Sequence, residues 1–347
     1  MIDNTDDKPR RGHGICLFSG GLDSMLALRL IADQGLRVTA LHVVLPVHPR
    51  GADDLAVLEG RALELGAEEL RLHDPGGEFV ELVHKPTHGY GRNLNPCLDC
   101  RLLAFRAGRR LMEELGADFV FSGEVVGERP MSQRREAMDL LERESGLNGR
   151  LLRPLSARLL PETEAERAGL VDRGRLMSFR GRGRKSQIAL AARLGIHDYP
   201  TPAGGCLLTD PGYASRSAEA LEHGELDYAD FELLRWGRHL RLPGGFKLAL
   251  GRNKEDNAGL RGAARPGDLL LTTDFPAPLG LIRRGDEELD GERLRLAARI
   301  LSGYSKCAGE CVVMVFVLDD EGGERPATTL TVEPLDRFSA EVRELLL

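Results

Sequence analysis

Apolar positions run along this chain in two rhythms. Gly14-Ile15-Cys16-Leu17-Phe18 is an unbroken run of strand length, and Leu22, Met25, Leu26, Leu28, Leu30 and Ile31 then recur at the spacing of one helix face. The alternation continues. RVTALHVVL (Arg37 to Leu45) predicts a second buried strand, Asp53 to Leu65 a helix, and Glu69 to Leu72 a short third strand. Cys100 to Leu115 predicts a further helix, and Asp118 to Phe121 a strand ending at Ser122-Gly123-Glu124. Strands alternating with helices imply α/β architecture, a doubly wound parallel sheet covered on both faces. Leu151 to Ile196 keeps helical spacing while gaining basic residues, and Pro200 to Pro211 is a Pro/Gly-rich connection. Beyond it, Phe231 to Leu260, Leu269 to Leu271 and Val312 to Leu318 read as short strands with Gly-rich turns. A smaller C-terminal α+β domain is expected over 225–347, after a first domain over 12–215. No internal repeat stands out, and the acidic stretch Asp319 to Glu324 reads as a solvated hairpin turn.

Composition narrows the classes. With 347 residues, 42% of them hydrophobic, the chain can bury a sizeable core. A net charge of -7 opposes indiscriminate nucleic-acid binding, so any RNA site must be a local cationic patch. No apolar run approaches the roughly 20 residues that span a bilayer. The N-terminal MIDNTDDKPRRGHG lacks the apolar centre of a signal peptide, and a cytoplasmic location without a membrane partner is expected. Six cysteines are too sparse for a disulfide scaffold here; a reducing compartment with a metal or redox role for some of them fits better.

The first candidate chemistry lies between the first strand and helix. Ser19-Gly20-Gly21 occupies a helix N-terminus, where unpaired N–H groups and the helix dipole favour an anion. Paired glycines let the backbone approach a phosphate closely, and Ser19 and Ser24 add hydroxyls. The alternative is a Gly-rich turn with no ligand. The string SGGLDS resembles the PP-loop, SGGxDS, of the ATP pyrophosphatase superfamily, whose members split ATP between its α- and β-phosphates and adenylate a substrate. The resemblance implies that Ser19, Gly20, Gly21 and Ser24 hold the pyrophosphate end of ATP and that Asp23 orients nucleotide or Mg2+. Ligands of such sheets bind beyond the carboxyl ends of strands, so Ser122, Gly123 and Glu124, which end another strand, are expected to border the same pocket.

The second candidate is sulfur. NPCLDCR places Cys97 and Cys100 in a Cys-x-x-Cys pair, with Cys206 far away in TPAGGCLLTD. A third thiolate completes a three-cysteine face, which suits a 4Fe-4S cluster with one iron free, whereas structural zinc prefers four ligands. A four-cysteine zinc site drawing on Cys307 and Cys311, and a redox-inert pair with an unrelated third cysteine, are the competing readings. Cys16, inside a strand, reads as core.

The PP-loop, Asn-Pro-Cys-x-x-Cys and distal Gly-Gly-Cys together resemble the tRNA thiolation branch of that superfamily, over roughly residues 12 to 215. What the resemblance implies is adenylation of a tRNA uridine and replacement of its carbonyl oxygen by sulfur. Cys97, Cys100 and Cys206 would ligate the cluster, or Cys97 and Cys206 would act as a persulfide and its resolving partner. Expected partners are tRNA, a sulfur donor (a cysteine desulfurase, a sulfur carrier or free sulfide) and a second copy of the chain. Neither a long N-terminal RNA-binding extension nor a rhodanese-like domain is seen in this sequence. RWGRHLRLPGGFKLALGRNKEDNAGL, however, is similar to the NFACT-R type of RNA-binding domain through Gly251-Arg252-Asn253, Asp256-Asn257 and Leu260. Its competing reading is a hairpin with solvated charges. A PP-loop enzyme acting on a small molecule with Cys-bound zinc, and a non-catalytic RNA-binding protein, remain the rival functions.

Three lesser features complete the reading. Arg173, Arg175, Arg180, Arg182, Arg184 and Lys185 form the densest cationic stretch, either a grip on an RNA backbone or a solvated helix start. His84 and His88 have the spacing of a helical zinc pair, but Pro86 between them favours a surface loop. Trp236 reads as core before it reads as a base-stacking platform.

Overall fold

The computed structural model describes residues 12–48, 55–200, 205–283, 289–307 and 309–347. The chain divides into two compact units, Met1–Cys206 and Leu207–Leu347.

The first unit runs β1 (His13–Leu17), α1 (Leu22–Ala32), β2 (Arg37–Val43), α2 (Leu55–Glu64), β3 (Glu69–His73), α3 (Gly77–His84), α4 (Cys97–Leu115), β4 (Phe119–Ser122), α5 (Arg135–Ser145), β5 (Leu151–Leu152), α6 (Glu164–Arg167) and α7 (Lys185–Arg193). Its five strands are parallel in the order β3-β2-β1-β4-β5. The central strand β1 is buried throughout, and its successive side chains feed two different cores. Cys16 packs with Phe121 and the α1 residues Leu22 and Leu26, while Ile15 and Leu17 pack with Phe105 and Leu111 of α4. Each such side chain contributes about 1.5–3 kcal/mol on burial. Helices therefore cover both faces of the sheet, as the unbroken apolar runs require.

Several elements depart from the expected bounds. The start of the helix expected from Asp53 lies outside the described residues, as do 201–204 of the Pro/Gly-rich connection and the N-terminal residues before 12. Helix α4 begins at Cys97, so the Cys-x-x-Cys pair occupies its first turn. The helical spacing expected over Leu151 to Ile196 yields only α6 and α7, because Pro154, Pro161 and a series of glycines interrupt the backbone.

The second unit runs α8 (Pro211–Glu222), α9 (Asp230–Leu233), β6 (Arg238–Arg241), β7 (Lys247–Leu250), α10 (Lys254–Gly262), β8 (Leu269–Thr273), β9 (Gly280–Arg283), α11 (Gly291–Gly303), β10 (Cys311–Leu318), β11 (Glu324–Val332) and α12 (Ala340–Leu345). Its sheet is antiparallel in the order β11-β10-β8-β9-β7-β6. Leu248, Leu250, Ile282, Val313 and Val315 pack against Ala297, Ile300 and Leu301 of α11. The region expected as strands from Phe231 to Leu260 instead opens with α9 and closes with α10, whose N-terminus Asn253 caps by accepting from the Asp256 N–H at 2.8 Å. Asp319 to Glu324 does turn between β10 and β11, with the Asp319 N–H donating to Gly323 O at 2.9 Å. Cys307 and Cys311 are joined to each other in a disulfide, so neither is a free thiol for the four-cysteine zinc site of the competing reading. Among the described residues no helix is long and apolar enough to cross a membrane.

Candidate functional site

The site forms where the strand order reverses. β1 and β4 are adjacent, and the chain leaves their carboxyl ends toward opposite sides of the sheet, which opens a crevice there. After β1, Gly20 adopts φ +75°, a left-handed conformation that favours glycine, and Gly21 caps α1 without a side-chain bond. Ser24 Oγ donates to Gly21 O at 2.8 Å, and Ser19 Oγ donates to Ser24 Oγ at 3.3 Å. The hydroxyls thus hold the loop in shape. After β4, Gly123 lies against the first turn of α1: a Cβ there would stand 2.4 Å from the Asp23 carbonyl carbon and 2.5 Å from the Ser24 nitrogen. The two loops that the sequence singles out are brought into contact. Ser122 is 2% exposed and its Oγ has no hydrogen-bond partner.

Glu124 has a different setting. It is 2% exposed and engaged by guanidinium groups, from Arg153 Nε at 3.0 Å and Arg101 Nε at 3.2 Å. Arg153 continues the chain of charges to Glu142 at 2.8 Å. Because Arg101 follows Cys100 on α4, Glu124 ties the cysteine-bearing turn to the loop after β4.

Around Asp23 the structure gathers groups that sequence reasoning did not connect. Burial raises the Asp23 carboxyl above its ordinary range, against the charges of Arg184 and Arg129 and the amide of Gln187. Glu128 is pushed up to about 7, first by burial and then by the charge of Asp23, with Arg129 and Arg184 opposing. Asp23 Oδ1, Glu128 Oε2 and Arg184 Nε are all buried without a hydrogen-bond partner. Arg184 is placed by β-like pairing of its segment with the β4 loop: the Gly181 N–H donates to Val126 O at 2.7 Å, and Ser156 Oγ bridges the Val126 N–H and Phe179 O at 3.0 and 2.6 Å. No local spacing announces this. The motif-like run SGEVVGE was the available signal for Glu128.

The cysteines also converge. Burial pushes the Cys100 thiol up to about 12, and the neighbouring charges of Cys206 and Cys97 act in the same direction, against Arg101. Cys206, more than a hundred positions away in sequence, therefore stands within electrostatic reach of the pair. Between the two, Asp99 is 6% exposed and accepts from the Thr87 and His88 N–H groups at 3.1 and 3.0 Å, fixing the preceding loop on α4. Among the described residues no three His, Cys, Asp or Glu side chains are disposed to hold a metal ion. Cys16 is fully buried core.

The remaining candidates resolve into structure. Arg173 pairs with Glu166 at 2.6 Å and Arg175 donates to Asp33 O at 2.9 Å, Arg184 acts on the Asp23 cluster, and Arg180, Arg182 and Lys185 are exposed. His88 meets Glu144 at 3.0 Å, and His84 ends α3 without sharing a helix with it. In the second unit Arg252 grips Asp256 at 2.6 Å, Asn257 accepts from the Leu279 N–H at 3.1 Å, and Trp236 packs so close to Gly259 that a Cβ would lie 2.2 Å from the indole. The residues that carry the RNA-domain resemblance thus build the fold around α10.

The NFACT protein RNA binding domain matches residues 237–340. Two curated relatives are tRNA-specific 2-thiouridylases MnmA. That of Sulfurimonas denitrificans is 30% identical over 112 residues, covering 31% of this chain and 33% of the relative. That of Streptomyces avermitilis is 29% identical over 195 residues, covering 48% and 52%. The chain therefore spans about a third and a half of these relatives' lengths. Among solved structures, the U34-tRNA thiolase NcsA from Methanococcus maripaludis with its 4Fe-4S cluster aligns at 16% identity over 73% of this chain and 71% of that one, with a TM-score of 0.33, too slight a likeness to carry an argument. With a strand–SGGLDS–helix cradle in its first unit, the chain resembles the tRNA thiouridylases MnmA, and over residues 237–340 it matches the NFACT protein RNA binding domain.

Proposed function

We propose that the chain is an ATP-dependent tRNA sulfurtransferase. The observation that carries this reading is the cradle itself, where the loop after β4 lies on the first turn of α1, with the Cys97 and Cys100 pair on a helix tied to that loop through Arg101 and Glu124.

The cradle supplies the free N–H groups of α1 and the Ser19 and Ser24 hydroxyls to the triphosphate. The orphaned Asp23 and Glu128 oxygens suit Mg2+ carried on the nucleotide, since that ion takes one or two protein carboxylates and keeps phosphate and water oxygens. A uridine carbonyl oxygen then attacks the α-phosphorus and pyrophosphate departs with the electron pair of the broken bond. The adenylated oxygen becomes a leaving group. Sulfur adds at the same carbon, and AMP leaves. The thiols fit a sulfur-bearing group by donor type, either as ligands of a 4Fe-4S cluster or as a persulfide on Cys97 resolved by Cys206. A bound cluster would supply a free iron able to present sulfide. Gripping of the tRNA falls to the second unit.

The experiment is a Cys206→Ala variant assayed for thionucleoside in tRNA and for ATP binding, beside metal analysis of anaerobically purified protein. Thiolation is expected to be abolished while ATP still binds, and iron with sulfide is expected in a brown sample that bleaches in air. Unchanged thionucleoside yield would overturn the role of Cys206, and stoichiometric zinc in a colourless sample would overturn the cluster.

A further inference from the structure

We propose that Arg184, assisted by Arg129, is the cationic wall of the cradle that receives the pyrophosphate leaving group. The inference rests on the nucleotide-binding part of the reading above, not on its sulfur chemistry.

Three observations converge on it. Arg184 is half-buried and its Nε is enclosed by protein, yet among the described residues its side chain makes no hydrogen bond or ion pair. It nevertheless stands close enough to Asp23 and Glu128 for its charge to act on both. A guanidinium beside two carboxylates ordinarily closes onto one of them, because charge-assisted hydrogen bonds are the strong ones and an enclosed unpaired donor such as its Nε is costly. Here none of the three closes. Gln187, 1% exposed on the first turns of α7, repeats the pattern: its amide favours the charged form of Asp23 but neither amide atom reaches full hydrogen-bond geometry. Groups of both signs held apart in one place suit a ligand that is itself of both signs, a phosphate chain with its divalent cation. The carboxylates face the cation, and the guanidinium faces the phosphate oxygens, for which its planar fork is matched.

The position also suits the step. When the bond between the α-phosphorus and its bridging oxygen breaks, the electron pair stays on that oxygen and pyrophosphate gains negative charge. A fixed guanidinium beside it stabilises the charge as it develops without solvent having to reorganise. Arg129, exposed and acting on the same two carboxylates, adds a second positive charge at the rim.

The test is calorimetric titration of the full-length protein and of Arg184→Ala, Arg184→Lys and Arg129→Ala with Mg·ATP, Mg·pyrophosphate and AMP, without tRNA. Loss of a charged hydrogen-bonding partner is expected to weaken Mg·ATP and Mg·pyrophosphate by about tenfold to a hundredfold in Arg184→Ala. AMP, which lacks the β- and γ-phosphates, is expected to bind as to the unaltered protein. Arg184→Lys should recover part of the loss, and Arg129→Ala should show the same selectivity in smaller degree. Equal affinity of Arg184→Ala and the unaltered protein for Mg·ATP overturns the proposal and leaves the nucleotide site standing. Equal weakening of AMP and ATP also overturns it, since that result marks a general collapse of the site. If Arg184→Ala does not fold, the Arg184→Lys and Arg129→Ala pair decides by the same selectivity. Failure of the unaltered protein to bind ATP overturns the nucleotide reading and the proposal together, whereas ATP binding without any thiolation affects only the sulfur chemistry.

Discussion

Each unit of this protein contains a cluster of guanidinium and carboxylate groups, and the two clusters are built to opposite ends. In the second unit Arg283 reaches Asp230 at 2.6 Å and Asp268 at 2.8 Å while donating to Ala263 O, and Arg265 joins Asp230 and donates its N–H to Asp268. That network is closed on itself. In the first unit Asp23, Glu128 and Arg184 lie in the same neighbourhood with buried polar atoms left open. The residue types are alike; what differs is saturation. A saturated ionic cluster joins α9 to β9 and the start of β8, whereas an unsaturated one beside a backbone cradle leaves its polar atoms open to a ligand.

The strongest way to break this comparison is to open the closed network. Asp230→Ala leaves Arg283 buried with one carboxylate fewer and is expected to destabilise the second unit by about 3–5 kcal/mol, measured by chemical denaturation, with ATP binding unchanged. A loss below 1 kcal/mol would contradict the joint. Gly123→Ala attacks the other cluster through its backbone support. Its Cβ has no room against the Asp23 carbonyl carbon, so the PP-loop must shift; a cost of about 1–3 kcal/mol and loss of ATP binding are expected. Normal ATP affinity in that variant would mean the loops are not in contact.

The smallest effect sharpens the contrast by pH. Glu128 is raised to about 7 in the fold from an ordinary 4.5, so the folded protein holds that proton more tightly than the unfolded chain does. Stability contributed by its neutral form is complete below about pH 4.5 and declines as pH rises through 7. Glu128→Gln removes the decline. The ligand-free variant is therefore expected to be more stable than the unaltered protein at pH 8, by about 1 kcal/mol after solvent screening, with the difference vanishing near pH 4.5. Identical pH profiles would show that the carboxyl is not confined. The corresponding change at Asp268, in the closed network, is expected to destabilise instead.

Local chemistry made half of the site readable. The strand–SGGLDS–helix run, the Ser122-Gly123 strand end and the NPCLDCR turn each carry their meaning within a few residues, and the structure brings the first two into contact. Glu124 was legible as a strand-end residue but not as an anchor, because its partners Arg101 and Arg153 come from other elements. Arg184 was hidden for the same reason: within its own stretch it is one arginine among several, and only the pairing of Gly181 with Val126 turns it toward Asp23. In the second unit, the alternation that suggested strands through Leu260 could not foresee that Asn253 caps a helix there. The pairing of Cys307 with Cys311 is likewise not revealed by composition.

The central claim is that cleavage at the α-phosphorus is coupled to sulfur entry into tRNA. It is tested most directly by incubating the full-length protein anaerobically with Mg·ATP, sulfide and unmodified tRNA, then quantifying pyrophosphate, AMP and thiouridine in the digested RNA. Pyrophosphate, AMP and thiouridine formed in equal amounts, and only with tRNA present, is the expected result. ADP and phosphate as products, or pyrophosphate released without tRNA and without any thionucleoside, would contradict it.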